Sequence, residues 1–407
     1  MPINNLYPDK ELSGNFPSVD IEEQISKPKI GASEKKKTSN GFEGTNLIEK
    51  VEIILPELTN QNIANKLINS FELSVYKKKI TNVSFNINRY YDLDELEKKL
   101  EASAKPGKIF IGTLSADATL LVKRYCDRGI LFFSFSSDKS NAKDCVYLVN
   151  FFPEDDLNAL FRFFPKDSKV ALLYPENSYG YNINKIIDSI ASVSESFIIN
   201  RASYKEDLTN AREAIKELGK YEFRRLELER QKNILKKKDD DLSRAALKKI
   251  QRFETAGNVD FTHLILPDYS IRLLEIAPLL PFYDVDPDVV QFVGTGVWDD
   301  KIFFNEPSLQ GAIFSGIEEK NRNEFFNDYK FVYKENPIRI LTIPYDLIGI
   351  LSYMLKEKMN LNKAHNLLNS EKIKFDGVDG KFYFSNNIIF RELDILEIKN
   401  GIATKLN

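Results

Sequence analysis

The chain is poor in the residues that build most metal and redox sites. Its 407 residues include two cysteines, two histidines, three methionines and one tryptophan. Cys126 and Cys145 form no CxxC motif, and His263 and His365 stand far apart, which argues against structural zinc and haem attachment. No cofactor and no metal are expected. No apolar run reaches the ~20 residues of a membrane span. The first residues lead into a polar tract rather than a secretory leader, although an exported protein whose leader had been removed would look the same. Neither sign of charge dominates: 57 Lys and Arg against 60 Asp and Glu give a net charge of -3. That balance exerts no global pull toward nucleic acid or an anionic membrane, and no nucleic-acid partner is expected. Catalytic signatures are missing too. There is no Gly-x-Ser-x-Gly elbow and no P-loop, and Gly294-Thr295-Gly296 lacks the third glycine of a dinucleotide fingerprint. An enzyme is not expected.

What is present has the grammar of a parallel α/β protein. A chain this long exceeds one compact core and suggests two lobes. Residues 1–45 mix Pro, Gly, Ser and Lys without an apolar period and read as a tether. Lys50-Val51-Glu52-Ile53-Ile54-Leu55-Pro56 then reads as a strand, and apolar residues over 61–76 recur at helical spacing. Strands follow at 82–87, 108–113, 129–134 and 145–150, with helices at 93–100 and 117–128 between them. A second block starts over: helix 154–164, strand 169–175, helix 179–191, strand 197–199, strand 262–267, helix 270–280. Two such blocks imply two doubly wound lobes. The segment 273–300 is the most informative, since it runs from an apolar helix through a Pro/Asp turn and a buried strand into a glycine-framed loop. That loop carries Trp298. In parallel sheets ligands sit just past the carboxyl ends of strands, where this loop falls.

Residues 208–255 break the rhythm. They are dense in charge at i to i+4 spacing, contain no proline, and have an Asp-rich turn at 239–241, which predicts a solvated helical hairpin inserted in the second lobe. A solvated elaboration is favoured over a partner-docking arm.

In order and spacing these pieces resemble the type I periplasmic binding proteins of the branched-chain amino-acid binding class, nearest to the members called penicillin-binding protein activators. The resemblance covers about residues 48–400. Its carriers are Ile54-Leu55-Pro56, Ile111-Gly112, the run 129–136, Phe152-Pro153-Glu154-Asp155, Tyr179-Gly180, Tyr283-Asp284-Val285-Asp286 leading into Gly294-Thr295-Gly296-Val297-Trp298-Asp299, and Asp376-Gly377-Val378-Asp379-Gly380. The resemblance implies two doubly wound parallel-sheet lobes joined by hinge crossings. The amino lobe would be 46–152 plus 319–365. The carboxyl lobe would be 153–318 plus 366–400, with the hairpin of 208–255 inserted in it. It also implies a periplasmic protein, lipid-anchored through an N-terminal segment, with the membrane touched only there.

Members of that class hold an amino acid's carboxylate with hydroxyls and helix N-termini, and its ammonium with a carboxylate. Here Thr113, Ser115 and Thr119 follow the third strand, and Ser134 and Ser136 the fourth. Tyr179, Thr295 and Trp298 supply the opposite side of the expected interlobe cleft. For each hydroxyl, capping a helix or turn is the competing role, and for Tyr179 and Trp298 core packing is. The position of the family's anchoring serine is Ala118, and Gly294-Thr295-Gly296 carries no carboxylate for an ammonium. The clamp looks eroded. The expectation is therefore a non-catalytic envelope module of the activator type, contacting a peptidoglycan synthase through the 208–255 hairpin. The alternative is a solute receptor of an ABC transporter for an amino acid or related small anion. Cys126 and Cys145 lie on a helix and a strand of one lobe and can bridge in an exported protein, but free buried thiols are the expectation.

Overall fold

The computed structural model describes residues 48–406 except Glu49, Thr59, Asp239, Ser270 and Glu371. The tether over 1–45, and any anchor it carries, lies outside the described residues. The chain divides into two compact units. The first takes the chain up to Asn150, Tyr333–Gly377 and Lys381–Ile389; the second takes Phe151–Val332, Val378–Gly380 and Phe390–Asn407.

In the first unit β1 (Lys50–Pro56), β2 (Phe85–Tyr90), β3 (Lys108–Gly112), β4 (Leu131–Ser134) and β5 (Val146–Leu148) pair in parallel. Ile109, Phe110, Ile111, Leu131, Phe132 and Phe133 are all buried, as expected of parallel strands covered on both faces. The covering helices are α1 (Gln61–Lys77), α2 (Leu93–Ser103), α3 (Ala116–Lys123), α12 (Thr342–Lys356) and α13 (Leu361–Leu368). One charge lies within the sheet. Glu52 on β1 is buried, and accepts from the side-chain amides of Asn86 and Asn88 and pairs with the Lys108 ammonium. Those partners are what make a buried carboxylate tolerable.

The end of this sheet departs from the sequence expectation. β11 (Phe375–Gly377), β12 (Gly380–Ser385) and β13 (Ile388–Arg391) extend the first sheet, in the order β11-β12-β13-β5-β4-β3-β1-β2. The sequence assigned all of 366–400 to the second lobe. The joint is β13 beside β5, with Ile388 opposite Leu148, and the Asn387 side-chain amide donating to the Asp144 and Val146 carbonyls. These are contacts between residues some 240 apart, with no local signal.

The second unit is built on β6 (Lys169–Pro175), β7 (Phe197–Tyr204), β8 (His263–Ile265), β9 (Gln291–Gly294) and β10 (Ile313–Gly316), all parallel. β14 (Asp394–Lys399) and β15 (Ile402–Lys405) close it antiparallel, giving the order β15-β14-β10-β9-β8-β6-β7. Its helices are α4 (Pro153–Phe163), α5 (Ser178–Val193), α6 (Ala211–Leu218), α7 (Tyr221–Lys236), α8 (Asp241–Ile250), α9 (Ile271–Ile276), α10 (Leu279–Phe282) and α11 (Glu319–Tyr333). Two apolar layers cover the two sheet faces. One centres on Phe292, Trp298 and Phe314, the other on Leu160, Leu172 and Ile187. Helix α11, expected in the first lobe, belongs to this unit. Its buried Arg322 pairs with Asp299 beyond β9 and with Asp379, which fastens it there.

Of the segment 208–255, α7 and α8 form a helical hairpin, whereas α6 is no part of a solvated insertion: its Ala211, Ala214, Ile215 and Leu218 pack into the core of the second unit. Asp240 caps α8, its two oxygens accepting from the Ser243 N–H at 2.8 Å and hydroxyl at 2.7 Å. Arg224 pins the base: it is buried and donates to the carbonyls of Gly219, Gly257 and Asp284 and to the Thr255 hydroxyl.

His263 opens β8 with its ring centroid 4.3 Å from that of Phe164 and Nδ1 2.8 Å from the Thr262 hydroxyl. Burial lowers its pKa to about 4. The unfolded imidazole titrates near 6.5, so it takes up a proton before the folded one does. The stability it contributes is full above that pH and is lost as pH falls toward 4. Between pH 7 and pH 5 wild type should lose on the order of 1 kcal/mol to this group, discounted for partial exposure. His263→Gln should lose correspondingly less over that window, measured by urea unfolding. Equal pH slopes for the two proteins would refute the assignment.

The two cysteines do not remain thiols. Cys126, in a short 3-10 turn after α3, and Cys145, just before β5, form a disulfide with Cα atoms 5.3 Å apart. The fold brings the turn and the strand start together, a proximity that a separation of 19 residues does not reveal.

Candidate functional site

In both units the parallel strands end in loops at one sheet edge, and every site residue expected from the sequence lies on these loops, on the helices they open or, for Ser134, at the last position of β4. The two edges differ in what they leave available.

In the first unit, β3 ends at Gly112, where an added Cβ would fall 1.8 Å from the Ile54 carbonyl oxygen, so only glycine fits. Thr113 follows in the left-handed region, at φ 49°. That turn points its hydroxyl inward. Thr113 Oγ1 lies 2.9 Å from Thr119 Oγ1 and 3.0 Å from Ser134 Oγ, and the latter two are 2.7 Å apart, a closed triangle of buried hydroxyls. Ser134 Oγ also accepts from the Ser136 N–H, and Ser136 Oγ from the Asp138 N–H. Ser115 is exposed, but its oxygen caps α3 by accepting from the Ala118 N–H at 3.3 Å. All five hydroxyls are engaged in fastening two loops and a helix. This is the capping role, and it satisfies groups whose burial without partners would be costly.

In the second unit the hydroxyl of Tyr179, in the first turn of α5, lies 2.8 Å from Thr295 Oγ1 beyond β9. Burial first, and then the nearby Asp156 carboxylate, push the Tyr179 phenol well above its usual range, so it stays neutral and can donate. Asp156, in the first turn of α4, accepts from the Gly296 N–H at 3.0 Å and the Ser315 hydroxyl at 2.8 Å. It thereby supplies the carboxylate that the Gly294-Thr295-Gly296 loop lacks in sequence. Trp298 is not at the surface of this edge. It is 0 % exposed, stacks where a Gly294 Cβ would otherwise stand, and donates its indole N–H to the Leu266 carbonyl at 3.1 Å. Its side chain is core, and it holds the loop that carries Thr295.

A second network at this edge escaped the sequence reasoning. Asp268, just past β8, is buried and accepts from the Tyr204 hydroxyl at 2.5 Å, the Tyr269 N–H at 2.7 Å and two nitrogens of Arg272 at 3.0 and 3.2 Å. Arg272 also reaches Glu206 beyond β7 at 3.1 Å, and Glu206 accepts from Asn177 at 3.0 Å. Burial and the adjacent Asp268 raise the Tyr204 phenol, and the Asp268 hydrogen bonds raise Arg272, so the pair is firmly ionised on the guanidinium side. Over this charged floor stands Tyr269, 45 % exposed, edge-to-face with Tyr179 at 6.2 Å between centroids and 5.7 Å from the Arg272 guanidinium. The available signal was Pro267-Asp268-Tyr269 directly after an apolar strand. Chemically, the edge offers the exposed ring of Tyr269 over a paired Tyr179–Thr295 hydroxyl couple and a guanidinium that already bridges Asp268 and Glu206, a set suited to holding a small molecule first by that ring face. Among the described residues no group of three or more His, Cys, Asp or Glu is placed to hold a metal ion.

No protein-family model matches the chain, and no curated protein sequence matches it significantly. Solved structures do match. A putative branched-chain amino acid ABC transporter protein from Rhodospirillum rubrum is 12% identical with a TM-score of 0.65, covering 88% of this chain and 99% of its own. A solute-binding protein of an ABC transporter from Rhodopseudomonas palustris, in complex with 3,4-dihydroxybenzoic acid, is 13% identical with a TM-score of 0.54, covering 88% and 96%. A branched-chain amino acid transporter substrate-binding protein from Streptococcus pneumoniae, in complex with isoleucine, is 14% identical with a TM-score of 0.51, covering 88% and 99%. The fold is that of the type I periplasmic binding proteins. Two parallel-dominated sheets flanked by helices make it α/β, as the sequence implied. The narrower likeness to the activator branch has no counterpart among these neighbours.

Proposed function

We propose that the protein is a non-catalytic solute-binding module that takes a small organic acid, an amino acid or an aromatic or aliphatic carboxylic acid, and serves as the receptor component of an ABC transporter. The observation that carries this reading is the carboxyl edge of the second sheet. There Tyr179 and Tyr269 set two aromatic faces beside the Tyr179–Thr295 hydroxyl pair and the Arg272 guanidinium. The neighbours' printed ligands, isoleucine and 3,4-dihydroxybenzoic acid, are of the size and chemistry such a set accepts. In the first unit Thr113, Thr119, Ser134 and Ser136 act as the scaffold of the strand-end loops.

Export is part of the same reading, because a disulfide persists in an oxidising compartment such as the periplasm. An activator-type regulator that binds a peptidoglycan synthase through the hairpin is supported only by the sequence resemblance and by the hairpin's presence. The test is a thermal-shift panel at millimolar concentration: leucine, isoleucine, glutamate, benzoate and 3,4-dihydroxybenzoate. A ligand present at a hundred times its Kd adds about 2.7 kcal/mol to stability and raises Tm by several degrees. At least one acid should do so. A panel in which none moves the transition contradicts the solute-binding reading.

A further inference from the structure

Arg272 joins two carboxylates at the carboxyl edge of the second sheet, and it joins them unequally. Asp268 takes the Nε and Nη2 side of the guanidinium at 3.2 and 3.0 Å. The same two Asp268 oxygens accept from the Tyr204 hydroxyl and the Tyr269 N–H, so the guanidinium plane is fixed from below. That leaves Nη1, which donates to Glu206 Oε1 at 3.1 Å. The Glu206 side chain is 53 % exposed, against 17 % for Arg272 and 1 % for Asp268. Asp268 is therefore built into the fold, whereas an ion pair as exposed as that of Glu206 contributes little to it.

A second donor meets the same Glu206 oxygen. The Asn177 side-chain amide donates to Oε1 at 3.0 Å, while the Asn177 oxygen caps α5 by accepting from the Gly180 N–H. Two donors from different elements thus converge on one point, at the N-terminus of a 16-residue helix whose dipole favours an anion there. Together they form a seat for one carboxylate oxygen, and the chain's own Glu206 sits in it. Among the described residues that carboxylate has no other hydrogen-bond or ion-pair partner. Beside the seat stands the half-exposed ring of Tyr269, 5.7 Å from the guanidinium. A ligand lying on that ring brings an attached carboxylate within reach of Nη1.

We infer that Glu206 is an internal stand-in for the ligand's carboxylate: an incoming acid displaces it from Arg272 Nη1 and from the Asn177 amide, while Asp268 keeps the guanidinium in place. The inference rests on the solute-binding reading and names, within it, where the carboxylate sits and which residue competes for that place. The exchange swaps one carboxylate for another, so both donors stay satisfied and no charge is left unpaired. A neutral ligand offers no such exchange, and the seat selects for acids. Removing the competitor should tighten binding, the reverse of what losing a ligand-holding residue does.

The experiment is isothermal titration of the five acids of the thermal-shift panel, and of benzamide as the uncharged counterpart of benzoate, into the full chain. The proteins are wild type, Glu206→Gln, Glu206→Ala and Asp207→Asn. An acid that binds wild type should bind both Glu206 variants at least about fivefold more tightly, since the competing pair and the repulsion between neighbouring carboxylates are both gone. Benzamide should show no such gain. Asp207→Asn removes the same charge from the adjacent exposed residue, whose carboxylate accepts from Thr209 instead, and should shift the affinity by less than about twofold. All four proteins change exposed side chains only, and equal Tm values without ligand establish that they fold. Equal or weaker binding of the acid by the Glu206 variants would overturn the inference and leave the solute-binding reading standing. An equal gain in Asp207→Asn, or for benzamide, would also overturn it. If no acid bound any of the four proteins, the solute-binding reading itself would fall, and this seat with it.

Discussion

Trp298→Ala should lower the unfolding free energy by about 4 kcal/mol, the usual cost of deleting a large buried aromatic side chain. The indole is completely buried among Phe292, Phe303 and Phe314, and its N–H is the partner of the Leu266 carbonyl. Removing it leaves both a cavity and an unsatisfied acceptor. Gly294→Ala should be comparably severe, because the new Cβ would lie 2.0 Å from that ring. Urea unfolding followed by circular dichroism measures both. A loss below about 1 kcal/mol for Trp298→Ala would mean that the side chain is not core. The stability effect has a functional corollary. The loop that Trp298 supports holds Thr295 against Tyr179, so residual folded Trp298→Ala protein should bind ligand more weakly although the indole touches none.

The second large effect concerns the disulfide. Replacing both cysteines, Cys126→Ala with Cys145→Ala, should cost about 3 kcal/mol, the loop-closure estimate for a separation of 19 residues. Dithiothreitol should lower the wild-type Tm to about that of the double variant and leave the double variant unmoved. Thiol titration of the unfolded protein should find no free thiol without reductant and two with it. Two free thiols in protein purified from an oxidising compartment would remove the main physical support for export.

These two sites show what the sequence made legible. Strands β1, β3, β4 and β5 were readable because parallel strands buried on both faces are short apolar runs, such as Ile109-Phe110-Ile111 and Leu131-Phe132-Phe133, whereas the mostly exposed edge strand β2 begins three residues later than its expected 82–87. The helical hairpin was readable from charge spacing. The destination of residues 375–391 was not, because β13 is fixed by pairing with β5 across more than two hundred residues. The same holds for Cys126 and Cys145, whose pairing is a tertiary fact. Sequence could set Thr113, Thr119 and Ser134 at strand ends but could not tell that the left-handed turn at Thr113 points the three hydroxyls at one another. Trp298, framed by glycines, read equally as contact and core; the close approach at Gly294 makes room for the indole rather than for a ligand. Asp268 follows Pro267 as an ordinary turn residue would, and nothing local shows that the fold buries it against Tyr204 and Arg272. The fold supplies carboxylates at the carboxyl edge of the second sheet from elsewhere, Asp156 from α4 and Asp268 from the end of β8.

Whether the Tyr179 edge of the second unit binds a small organic acid is tested most directly by isothermal titration of the strongest thermal-shift ligand into wild type, Tyr179→Phe and Tyr269→Ala. Losing the phenol hydroxyl should weaken binding by about 1 kcal/mol, a several-fold rise in Kd. Losing the exposed ring of Tyr269 should weaken it by at least as much. Wild type should saturate at one equivalent. A ligand that binds all three proteins with the same affinity would contradict the account and move the binding site away from this edge.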